Sequence, residues 1–185
     1  MNRELDVVTE WLLAASAEVS PDYFQLPVAG AERPEYRERV YCYELYHQWR
    51  RHWPNDFRFS LGGEINKQGH PLIRGDEQPD FLVHVPGHMC NLLIVEVKPV
   101  NAAPARMADD LMKLTRFRRE LYDQDGLPAS YEAAYFWLYG LSLPEWPALR
   151  KRVLAVIGES VDFDPRLVSC FVHEQSGARA LTAEW

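Results

Sequence analysis

Apolar residues recur along the chain with two different periods, and the switches between them mark the elements. Leu5, Val8, Leu12, Ala15 and Val19 fall three or four apart, which predicts an amphipathic helix over residues 3–19. Pro21 to Pro34 is rich in turn residues and reads as a linker. Val40, Tyr43, Tyr46, His47 and Arg50 spread along a second predicted helix, residues 35–53, which Pro54-Asn55-Asp56 ends. Alternation then takes over. Phe57-Arg58-Phe59-Ser60-Leu61 opens a strand predicted to reach Ile65, followed by a polar loop to Gln78. Two runs rich in Val, Ile, Leu and Phe, residues 79–85 and 92–98, flank Pro86-Gly87-His88-Met89-Cys90-Asn91 and predict a β-hairpin. Beyond Pro99 and Pro104, Met107, Leu111, Leu114, Phe117 and Leu121 keep helical spacing, with Asp109 and Asp110 early and basic residues late, as the helix dipole favours. Residues 131–141 are apolar enough for a buried central strand. Residues 145–158 predict a helix, 167–173 a strand, and a last short strand is expected after Gly177.

The fold class is therefore α/β: a central mixed sheet flanked by helices, with an α-β-β-β-α-β core, an extra N-terminal helix and a C-terminal helix plus strand. One domain is expected over residues 1–185, with its core at about 35–141, a helix and linker in 1–34, and an extension in 142–185.

The hairpin carries the chemistry. Alternation puts Ile94, Glu96 and Lys98 on one face of the second strand, and Leu93, Val95 and Val97 on the other. Asp80, Leu82 and His84 likewise oppose Phe81, Val83 and Val85. Burying the purely apolar faces brings Asp80 opposite Glu96 or Lys98, because a one-residue slip would turn a charged set into the core. Two carboxylates and an ammonium are then expected to share an accessible cleft at one end of the sheet. Paired oxygen ligands suit a hard cation such as Mg²⁺, and a neighbouring ammonium can orient water or stabilise a phosphoryl oxygen. A solvated salt pair is the bland alternative for Glu-x-Lys on a strand.

Pro79-Asp80, a hairpin and then Glu96-Val97-Lys98 resemble the PD-(D/E)xK nuclease superfamily, the restriction-endonuclease-like fold. The resemblance implies a Mg²⁺- or Mn²⁺-dependent nuclease acting on nucleic acid, DNA being the favoured partner. Asp80 and Glu96 would be the metal ligands, with the Val97 backbone carbonyl as a further one, and Lys98 would position the nucleophilic water. It covers about half of the chain, from Glu44 to near Tyr139. A further acid is wanted, and two compete. Glu44 sits on the helix before the first strand, where relatives carry a glutamate; Glu64 lies at the far end of a strand whose antiparallel pairing brings it to Asp80. Both have ordinary readings too, a helix glutamate paired with Gln48 and a solubilising strand-end acid. Lys113 lies one turn from Asp110 on the next helix, where relatives place a phosphate contact.

Charge changes the picture modestly. The net charge of −7 argues against a general nucleic-acid binder but leaves local basic clusters, one holding Arg50 and the other Lys113 and Arg116. These three are the nucleic-acid-contact candidates, each also readable as a solvated helix residue. The other function class consistent with the sequence is a non-catalytic nucleic-acid or protein-binding module on the same fold. No apolar run approaches a membrane span, and three cysteines without a CxxC favour a reduced, cytoplasmic setting. A homodimer stays open. His84, His88 and Cys90 lack a fourth ligand at zinc spacing, and the G-x-S-x-G, P-loop and G-x-G-x-x-G patterns are absent.

Overall fold

The computed structural model describes residues 2–63, 78–119, 126, 129–174 and 177–185. Four helices, α1 (Arg3–Glu18), α2 (Glu38–Arg51), α3 (Pro104–Arg118) and α4 (Trp146–Ile157), accompany six strands. The strands are β1 (Ser60–Gly63), β2 (Phe81–His84), β3 (Asn91–Pro99), β4 (Ala133–Tyr139), β5 (Ser169–His173) and β6 (Leu181–Ala183). They form one mixed sheet in chain order, antiparallel from β1 to β3, parallel from β3 to β5, and antiparallel again at β6. The α-β-β-β-α-β core is thus present. Beyond this core, α4 adds to one face and β5 and β6 continue the same sheet.

Both faces of the sheet are covered. On one, Leu12 of α1 and Tyr41, Leu45 and Trp49 of α2 pack against Phe81, Val83, Val95, Val97 and Trp137. On the other, Met107, Leu111 and Leu114 of α3 and Leu149 and Val153 of α4 pack against Leu82, Ile94, Phe136 and Leu138. The two helices on this second face are the crossovers β3-α3-β4 and β4-α4-β5. Right-handed crossovers between successive parallel strands place both helices on the same side. This is why β3 and β4 read as near-continuous apolar runs: they are buried on both faces.

Some boundaries differ from the sequence pattern. α2 begins at Glu38 rather than at residue 35, because Glu35 is tied to Leu26 by a pair of 2.9 Å backbone hydrogen bonds. Its buried stripe is Tyr41, Leu45, Gln48 and Trp49, which leaves Tyr43 and Arg50 facing outward. β1 starts at Ser60. The preceding Phe57 instead packs edge-on against Trp11 and Trp53, and the Trp53 indole donates to the Phe59 carbonyl at 2.9 Å. The aromatic contacts hold this stretch away from the ladder.

Candidate active site

The hairpin register pairs Phe81 with Val95 and Leu82 with Ile94. One step further, Asp80 has left the ladder, and its side chain takes over the pairing: Oδ2 accepts from the Val97 N–H at 2.7 Å. This fixes the carboxylate beside the carboxyl end of β3, the end at which open α/β sheets hold their ligands. Gly63 of β1 lies opposite Phe81. Glu64 lies outside the described residues.

Glu96 and Lys98 share the Ile94 face of β3, as alternation requires, but that face is not open. Glu96 is 2% and Lys98 5% exposed. Alternation within β3 leaves the charged face to solvent, but the crossover helix α3 covers it and brings Asp110 and Lys113 onto the charges. Lys113 Nζ lies 2.6 Å from Glu96 Oε1 and 3.1 Å from Asp110 Oδ1, an ion pair with both acids. Lys98 Nζ lies 3.3 Å from Asp110 Oδ2 and 3.2 Å from Glu38 Oε1 at the start of α2, and it donates to the Val97 carbonyl at 2.9 Å.

Four carboxylates (Glu38, Asp80, Glu96, Asp110) therefore surround two ammoniums, Lys98 and Lys113. Fully ionised, the cluster carries two more negative than positive charges. Burial pushes Asp80 up from the ordinary 3.8 to about 6, against the pull of Lys98 and the Val97 N–H. Glu96 is driven well above the usual glutamate range, first by burial and then by the Asp80 charge. Burial works against the charge of Lys98 as well, but Asp110, Asp80, Glu38 and Glu96 together outweigh it and hold the ammonium above the ordinary lysine range.

The remaining candidates separate. Glu44 accepts from the Gln48 amide at 2.6 Å, and the α2 glutamate that reaches Lys98 is Glu38. Lys113 belongs to the cluster itself. Arg116 lines a cleft of about 530 Å³ that runs from Lys113 and Asp110 to Arg119 and Asp162. Arg50 lines a separate cleft with Trp53 and Phe57. Glu38 is not among the residues the sequence singles out, since its only local signal is its position in the first turn of a helix preceding the sheet.

Among the described residues, no three His, Cys, Asp or Glu side chains converge as a ready-made cation cage. The donors present are nevertheless of the type a hard divalent cation takes: the Asp80 and Glu96 carboxylates and the Val97 carbonyl, which accepts from Lys98 Nζ, in a cluster that when fully ionised carries two more negative than positive charges. The fold and cluster define a single-sheet α/β protein with a buried acidic centre at the end of its central strand. Compared with family models, curated proteins and solved structures, the chain matches none. No described helix is long and apolar enough to cross a membrane.

Proposed function

We propose that the protein is a divalent-metal-dependent nuclease hydrolysing phosphodiester bonds in nucleic acid. One observation carries this reading: Asp80, Glu96 and Lys98 belong to a buried cluster that, with its acids ionised, is two positive charges short. Burying carboxylates without full compensation costs several kcal/mol, so the arrangement makes physical sense where a cation completes it. Asp80 and Glu96, with the Val97 carbonyl, would hold Mg²⁺ or Mn²⁺. When bound, such an ion supplies charge to phosphoryl oxygens and acidifies water.

The protein groups have distinct tasks. The Val97 N–H orients the Asp80 carboxylate. Glu96 holds its proton more tightly than an ordinary glutamate and has to release it before acting as a ligand. Lys98 is held protonated by its carboxylate neighbours, so its role is that of a fixed positive charge beside water and phosphate and not that of a base. Glu38 and Asp110 position it from two helices.

The 2.6 Å approach of Lys113 to Glu96 favours the second reading, a binding module in which ammoniums already compensate the acids. Cleavage separates the two. With Mg²⁺ or Mn²⁺ and single-stranded, duplex and branched substrates, Lys98→Ala should slow cleavage by about two orders of magnitude or more. Affinity should change far less, since one cation is a small part of the phosphate contacts. Wild-type protein that binds the substrates and cuts none overturns the nuclease reading.

A further inference from the structure

One face of α2 presents Tyr43, Tyr46 and Arg50 at i, i+3 and i+7, aligned along the helix. At its Asp80 end this stripe borders a cleft of about 290 Å³ lined by Tyr43, Tyr46, Gly63, Phe81 and Asp80 itself. Tyr46 is also a wall of a second cleft of about 290 Å³, which Arg50 lines. An aromatic ring thus stands between a candidate metal-ligating carboxylate and a guanidinium.

The ring of Tyr46 is held in place. It stacks on Phe81 with centroids 6.4 Å apart, and a Cβ at Gly63 would meet it at 3.5 Å. Tyr43 makes no ring contact among the described residues and is 57% exposed. Arg51 next door is ion-paired to Glu18 at 2.8 Å, whereas exposed Arg50 makes no ion pair among the described residues.

We propose that this stripe is a stacking track for unpaired nucleotides, so that the substrate class is single-stranded or flapped nucleic acid rather than intact duplex. The proposal rests on the nuclease reading for why nucleic acid comes to this end of the sheet. Bases in a duplex have their faces covered by neighbouring pairs; only an unpaired base can lay a face on a tyrosine. The guanidinium, about 10 Å further along the helix from Tyr43, takes a backbone phosphate of the same strand. An apolar peptide would fill the clefts but would give Arg50 and Asp80 no task.

The test is fluorescence anisotropy in EDTA with labelled oligo(dT), its duplex with oligo(dA), and an abasic strand of equal length. Oligo(dT) should bind at least about tenfold tighter than the duplex, and the abasic strand should lose most of that advantage. Tyr43→Ala should weaken oligo(dT) binding about fivefold or more without affecting the duplex, and Tyr43→Phe should restore it, because stacking needs the ring and not the hydroxyl. Arg50→Ala should flatten the salt dependence by about 0.7 in log–log slope. Equal affinity for strand and duplex, no measurable oligo(dT) binding, or Tyr43→Ala behaving as wild type each overturns the track. Because EDTA removes catalysis from the measurement, a protein that passes these tests yet cuts nothing when Mg²⁺ is restored refutes the nuclease reading and leaves the track standing. Undiminished cleavage by Tyr43→Ala, with unchanged binding, does the reverse.

Discussion

Asp80→Asn tests the central electrostatic claim without requiring any activity. Asparagine keeps the size of aspartate and can still accept the Val97 N–H that Oδ2 accepts at 2.7 Å, so the substitution removes mainly the charge. In the folded protein the Asp80 carboxyl is raised from the ordinary 3.8 to about 6, so folding favours its neutral form. At about 1.36 kcal/mol per pKa unit, ionised Asp80 costs the folded state about 3 kcal/mol. The sign follows from proton counting. Between pH 4 and 6 the folded state binds more protons than the unfolded one, so this contribution to stability falls as pH rises and the full cost is present at pH 7 and above. Metal-free Asp80→Asn should therefore be more stable than wild type by up to about 3 kcal/mol at pH 7.5, roughly 6–12 °C in Tm for a chain of this length. At pH 4.5 the difference should shrink to about 1 kcal/mol or less. Urea and thermal unfolding in EDTA at the two pH values measure it. Added Mg²⁺ should narrow or reverse the gap at pH 7.5, since only wild type gains stability by binding it. A variant less stable than wild type at pH 7.5 in EDTA, or a difference that ignores pH, would refute the uncompensated-charge argument and with it the main support for a metal.

Two further outcomes are expected. Calorimetry should show Mg²⁺ or Mn²⁺ binding to wild type that is at least about tenfold weaker at pH 5 than at pH 7, because Asp80 at about 6 must lose its proton to become a ligand and Glu96, also raised, adds to the loss; Asp80→Asn and Glu96→Gln should each abolish it. His173 lies in a buried network in which Trp137 Nε1 donates to the Tyr41 hydroxyl at 2.8 Å and that hydroxyl meets His173 Nδ1 at 2.5 Å. Burial lowers His173 from 6.5 to about 4, so its contribution to stability, about 3 kcal/mol, is present above pH 6.5 and is lost as pH falls towards 4. The stability of wild type relative to His173→Gln, followed by urea unfolding, should fall across that window; a flat difference would contradict a neutral buried imidazole.

The sequence by itself determined whatever depends on neighbours along the chain. The 3.6-residue spacing of Val8, Leu12 and Ala15 and of Met107, Leu111 and Leu114 is enough to specify α1 and α3 and their buried faces. Alternation in residues 81–84 and 91–98 specifies the hairpin and brings Asp80 to the level of Glu96 or Lys98. Glu64 belongs to a stretch outside the described residues, and its place remains the expectation drawn from strand order.

Only the tertiary structure decided how the charges of β3 are enclosed. Whether the Glu96 face meets water or a helix depends on the side to which the crossover after Pro99 returns, which is set by the handedness of β3-α3-β4 and not by residues within β3. The same packing selects Asp110 and Lys113 from one helix and Glu38 from another, positions up to 60 residues from Lys98 that no local period connects to it. It also leaves Glu44 in a local pair with Gln48, and sets Tyr43 outward beside the Asp80 cleft and Arg50 beside a separate one. Secondary structure and register follow from free energies of a few residues at a time. The excess negative charge of the cluster arises only when four segments distant in sequence are desolvated together, and desolvation is a property of the packed molecule.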